Sequence, residues 1–206
     1  AENANRFADL CEEDIFRKFP GTLFLNGYKI KCFVIGSEIG AKDSRTRMER
    51  IEAKIYAPYP VWVMEEKKSF YPDSAERRED YAFLEYPYDY SYDYSRPKSG
   101  TENWYIDHYR DSNFEMTIYG PCVDPKIIVN GYPYQVNDTL EAGEYIVIRS
   151  REKNLCNGTI QSIFEKREKK NSVFKRIPSG ELILNWDGTF GFDLTIYKER
   201  GAPKWI

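Results

Sequence analysis

The chain has 206 residues, 30 of them basic and 33 acidic for a net charge of −3, and is long enough to bury one large core or two small ones. The two signs are mixed along it, so no basic face for nucleic acid is visible, and no run approaches the roughly 18 apolar residues of a membrane span. Aromatic residues make up 16% of the chain, too much large apolar surface for a disordered polymer, so the protein is expected to be packed.

The opening AENANRFADL lacks the basic-then-apolar pattern of a secretory leader, and the chain reads as soluble and unexported. In NRFADLCEEDIFRKF the residues Phe7, Leu10, Cys11, Ile15 and Phe19 form one apolar stripe of a helix, which Pro20-Gly21 is expected to stop. TLFLNGYKIKCFV follows, with Asn26-Gly27 placed between two β-prone runs as a type I′ hairpin turn requires. In RIEAKIYAP the residues Ile51, Ala53 and Ile55 alternate with polar partners, the pattern of a half-buried strand. Closely spaced prolines and a mixed charge run then suggest a domain boundary between residues 58 and 66, taken as domains 1–62 and 63–206. The first part holds only a helix, a hairpin and a strand, which is marginal alone and calls for a neighbouring chain, further residues upstream or the second domain.

The stretch YPYDYSYDY spaces Tyr86, Tyr88, Tyr90, Tyr92 and Tyr94 two apart, so one strand would carry a row of rings on a single face. Beyond it turns come at short intervals. SNFEMTIY ends at Gly120-Pro121, Asn130-Gly131 splits KIIVNGYPYQV as a second hairpin, and EAGEYIVIRS supplies another strand before the third Asn-Gly signal at Asn157-Gly158. QSIFEKREKKN has room for one or two helical turns, and its charge run reads as a solvated face. In ELILNWDGTFGFDLTIY the residues Leu182, Leu184 and Trp186 alternate on one arm and Phe190, Phe192, Leu194 and Ile196 on the other, with Asp187-Gly188 between them. Short strands at this spacing predict a mainly β protein, a jelly-roll or galectin-like sandwich preceded by a small α+β domain.

Catalytic chemistry has little to stand on. The single imidazole, His108 in WYIDHYRD, has Asp107 and Asp111 nearby, but no nucleophile motif accompanies it and a surface histidine is the simpler reading. No phosphate-cradling glycine motif is present. Cys11, Cys32, Cys122 and Cys156 stand far apart without a C-x-x-C, so neither a metal nor a cofactor is expected and the cysteines read as reduced, mostly buried apolar residues. The sharper binding hypothesis is a sugar- or protein-contact surface of Tyr88, Tyr90, Tyr92, Trp104, Tyr105 and Arg110, because sugar modules stack rings on aromatics and bond hydroxyls with Asp, Asn and Arg. Against it stands the fact that most aromatics of a β domain are core or cross-strand pairs.

YPYDYSYDY, NFEMTIYGP, NGYPYQVNDTLEAGEYIVIRS and the ending FKRIPSGELILNWDGTFGFDLTIYKERGAPKW together resemble the C-terminal half of distal tail proteins of long-tailed phages and prophages. Upstream, APYPVW resembles the proline-aromatic stretch that closes that family's N-terminal domain, and NGYKIKCFV resembles the hairpin before it. The resemblance implies a non-enzymatic structural protein of the virion tail tip, made in the host cytoplasm and assembled as a hexameric ring. N-terminal domains would form the ring between tail tube and tail-tip hub, and galectin-like C-terminal domains would serve receptor-binding proteins. The family's N-terminal domain is longer than residues 1–62 allow, so part of it is expected to be missing here. A carbohydrate-binding module is the competing reading and a glycoside hydrolase fragment a third.

Overall fold

The computed structural model describes residues 2–39, 51–72, 100–158 and 161–204. They divide into two compact units, one of Ala1–Met64 with Glu199–Ile206, the other of Glu65–Lys198.

The first unit starts with α1 (Glu2–Phe16), whose end is set before Pro20 is reached. Lys18 adopts φ 55°, the Phe19 N–H donates to the Asp14 carbonyl at 3.1 Å and the Lys18 N–H to Ile15 at 3.1 Å. This is a Schellman cap with lysine where glycine is preferred. Lys18→Gly is therefore expected to stabilise the protein by about 0.5–1 kcal/mol, the left-handed penalty less the added chain entropy, read as a higher denaturation midpoint. β1 (Gly21–Leu25) and β2 (Tyr28–Ile39) form the hairpin foreseen at Asn26-Gly27, both in the left-handed region at φ 50° and 78°. The far half of β2 pairs with β3 (Ile51–Tyr56), with a register shift between Val34 and Gly36.

β3 is a strand, as expected, but it is not half-buried: Glu52 to Tyr56 are all exposed, Ile55 by 47%, and among the described residues β3 pairs only with the far half of β2. β4 (Trp62–Phe70) begins in this unit, where Val63 pairs with Lys29.

The second unit is an antiparallel two-layer sandwich. One sheet orders β4, β15 (Phe192–Arg200), β6 (Asn113–Tyr119), β11 (Tyr145–Arg149), β12 (Asn154–Asn157) and β13 (Gln161–Ser162); the other orders β5 (Thr101–Ile106), β14 (Gly180–Asn185), β8 (Lys126–Val129) and β9 (Tyr132–Gln135). A small pair joins β7 (Cys122–Val123) to β10 (Thr139–Leu140). Alternation decides which side chains go inside. Phe114, Met116 and Ile118 of β6, Phe192, Leu194 and Ile196 of β15, and Leu182 and Leu184 of β14 belong to one buried apolar cluster. The segment 161–171 supplies a single 3-10 turn, Phe164–Lys166.

The Asn130-Gly131 turn is again type I′, at φ 47° and 79°. Its asparagine also extends the ladder: Asn130 Oδ1 accepts from the Ile183 N–H at 2.7 Å and Nδ2 donates to the Glu181 carbonyl at 3.0 Å. The two arms around Asp187-Gly188 do alternate, but they do not pair with each other. β14 pairs with β5 and β8, while β15 pairs with β6, so the loop between them carries the chain from one sheet to the other. Asp187 Oδ1 accepts from the Thr189 N–H and hydroxyl, and the Trp186 indole donates to the Phe190 carbonyl at 3.1 Å, bonds that shape a corner wider than a hairpin turn.

Candidate interaction surfaces

In the first unit the helical stripe foreseen in the sequence points largely to solvent. Leu10 is 54% exposed, with Phe7, Ile15 and Phe19 also exposed, and only Cys11 is half-buried. Phe16, Phe24 and Ile35 are exposed by 89%, 70% and 62%. Among the described residues this unit buries four apolar side chains and exposes twelve large ones, whereas the second buries twenty-five and exposes seven. An open cleft of about 220 Å³ separates α1 from β2, lined by Phe7, Cys11, Val34 and Ile35 among others. Apolar exposure on this scale exceeds what a closed core leaves on its own surface.

In the second unit, β5 and the turn after it carry three of the residues singled out from sequence. The structure does not gather them. Trp104 and Tyr105 are consecutive on one strand and so face opposite sides. Trp104 is half-buried, packs edge-on against Phe70 with centroids 6.4 Å apart, and donates its indole N–H to Glu66 Oε1 at 3.2 Å. Glu66 Oε2 also holds Lys198, so the indole is tethered inside the sandwich. Tyr105 is 64% exposed on the outer face. Arg110 is exposed beyond the strand, its guanidinium carbon 5.7 Å from the Tyr109 ring. Tyr88, Tyr90 and Tyr92 lie outside the described residues, as does the whole of YPYDYSYDY. His108 has its ring against Tyr109, with centroids 4.5 Å apart.

Of the outer face of β5 and β14, only Tyr105 was singled out from sequence. Asn103 stands opposite Ile183 and Tyr105 opposite Glu181, and these four, with the chain at Trp104 and Leu182, line a shallow concavity of about 350 Å³. The alternation of Leu182 and Leu184 did imply that Glu181 and Ile183 point outward; the pairing with β5, separated by about 75 residues of sequence, could not be read locally. Lys68 closes the strand's free edge, its ammonium donating to the Asn103 carbonyl at 3.1 Å and meeting Glu102 at 3.3 Å.

Charge elsewhere on the sandwich is arranged for stability. Asp193 is 16% exposed and meets Lys67 at 2.6 Å and the Tyr119 hydroxyl at 2.9 Å. Burial pushes its carboxyl up, but hydrogen bonds from Lys67, Ser69 and Tyr119 outweigh this and leave it below the usual range. A carboxyl depressed on folding stabilises above its unfolded value, and that gain is lost as pH falls through the folded value. Asp193→Asn is expected to flatten this acid limb of the stability curve, by on the order of 1 kcal/mol given that Lys67 is 57% exposed and screened. Denaturant midpoints measured from pH 3 to 7 check it. Three thiols are held toward their neutral form. Burial, with Asp187 and Asp138 behind it, pushes Cys122 up to about 11, and burial raises Cys11 and Cys32 too.

No protein-family model matches the sequence, and no curated protein matches it. In fold the chain is similar to the crystal structure of the Dit protein of SPP1, described as a paradigm of the hub adsorption apparatus in phages infecting Gram-positive bacteria, with a TM-score of 0.53 and 7% identity. The match covers 85% of this chain and 62% of that one, so the chain spans less than two thirds of that protein's length. A second likeness, to the phage P2 baseplate in its activated conformation with calcium, has a TM-score of 0.49 and 13% identity over 98% of this chain and 76% of the other.

Proposed function

We propose that the chain is a structural, non-enzymatic component of a phage tail tip, a distal tail protein acting as an adaptor between tail tube, tail-tip hub and receptor-binding proteins. The observation that carries this reading is the imbalance within the first unit, whose described residues expose twelve large apolar side chains against four buried ones. Such a unit suits closed, head-to-tail assembly, in which each copy covers the open surface of the next. The likeness of fold to the SPP1 Dit protein supports the same assignment. On this reading residues 1–62 belong to the ring-forming domain and 63–206 to a galectin-like domain, and six copies close the ring.

Light scattering after size exclusion, with electron microscopy of the same fractions, tests it. Six-fold rings are expected of the protein with its N-terminal domain complete. Phe24→Glu combined with Ile35→Glu is expected to weaken assembly by at least about tenfold while leaving the sandwich folded, since both side chains face solvent in the isolated chain. A protein with its N-terminal domain complete that stays strictly monomeric at tens of micromolar, with no rings on the grid, would count decisively against a ring.

A further inference from the structure

We propose that the outer face of β5 and β14 is a binding site for the ring of a neutral saccharide, stacked on Tyr105 between Asn103, Glu181 and Ile183. Tyr105 offers an accessible ring at 64% exposure, and Ile183, 50% exposed, stands on the neighbouring strand as a second apolar wall. The Asn103 amide and the Glu181 carboxylate line the same concavity as the Tyr105 ring and hydroxyl, so polar groups of three kinds border one aromatic surface.

The chemistry of this set selects among ligands. A pyranose has an apolar C–H face for the tyrosine ring and hydroxyls that donate to the carboxylate and exchange bonds with the amide. The lining has one carboxylate and no cation, which disfavours phosphates and other anions. An extended peptide would add itself to the edge of β5, but Lys68 already occupies the Asn103 carbonyl there. Trp104, tethered to Glu66 on the opposite face, is not part of the site.

The site does not depend on ring assembly, so the two readings fail separately. The test is a titration of the whole chain, with its tyrosines isotope-labelled, against methyl glucoside, methyl galactoside and an N-acetylglucosamine oligomer. A saturable shift of the Tyr105 ring signal with at least one of these is expected. Tyr105→Ala should weaken that binding about tenfold, the equivalent of one stacked ring, while Tyr109→Ala, which removes another exposed tyrosine, should leave it unchanged. No saturable shift with any of the three sugars overturns the proposal. So does equal weakening by both variants, or a Tyr105 signal that moves with protein concentration and not with sugar, which would make the face a contact between copies.

Discussion

Phe192→Ala is expected to lower the stability of the sandwich by about 3–5 kcal/mol, the range for removing a fully buried aromatic ring. Phe192 is 1% exposed and is the hub of an aromatic cluster. Its ring stacks on Phe70 at 4.5 Å and 11°, meets Trp186 edge-on at 5.3 Å, and lies 6.4 Å from Phe190. Phe70 in turn meets Trp186 and Trp104 edge-on, so the cluster bridges the two sheets. Deleting the ring would remove its transfer free energy and leave a cavity whose walls are rigid rings, which collapse poorly. Phe192→Leu keeps most of the volume and should cost about 1–1.5 kcal/mol. Urea unfolding followed by tryptophan fluorescence measures both, because Trp104 and Trp186 each touch this cluster. A loss below about 1 kcal/mol for the alanine variant would mean that the rings repack freely and that the sandwich is not held together at this point.

The same cluster shows what was legible in the sequence. Alternation from Leu182 to Ile196 correctly marked the inward faces of two strands, since a period of two needs only local information. The Asn-Gly turns at 26–27 and 130–131 were legible for a similar reason: consecutive residues in the left-handed region favour Asn-Gly. Partnership between distant strands was not legible. Around Asp187-Gly188 two alternating arms look alike whether they pair or pass into different sheets, and only β5, β8 and β6, elsewhere in the chain, decide that. For the same reason Trp104 and Tyr105 were grouped as one surface: they are adjacent in sequence, and which face of β5 is covered depends on Phe70 and Glu66. In the first unit the apolar periodicities of α1 and β3 were real. A stripe that packs inside the chain and one left exposed on it have the same pattern, so the exposure of Leu10 and Ile55 was not readable from spacing.

Gly100→Ala is expected to be nearly as damaging as loss of a core ring, although it adds only one methyl group. Gly100 has φ 84°, a conformation that costs an L side chain about 1–2 kcal/mol. A Cβ there would stand 2.2 Å from the Trp186 carbonyl oxygen and 3.1 Å from the Gly188 nitrogen, both backbone atoms. Neither can turn aside as a flexible side chain would. The Trp186 N–H donates to the Gly100 carbonyl at 2.9 Å and the Trp186 ring is held edge-on by Phe70 and Phe192, so relieving the clash would open the corner and disturb the aromatic cluster. Overpacking of this kind adds about 1–3 kcal/mol, for a total near 3 kcal/mol or more. Gly131 separates the two causes. It has φ 79° but nothing within 4 Å of a built Cβ, so Gly131→Ala should show the conformational cost alone. The difference between the two variants in urea midpoint is then the cost of the close approach itself. Equal losses would show that the corner beside Gly100 yields, and with it the anchoring of β5 that sets which face Tyr105 presents.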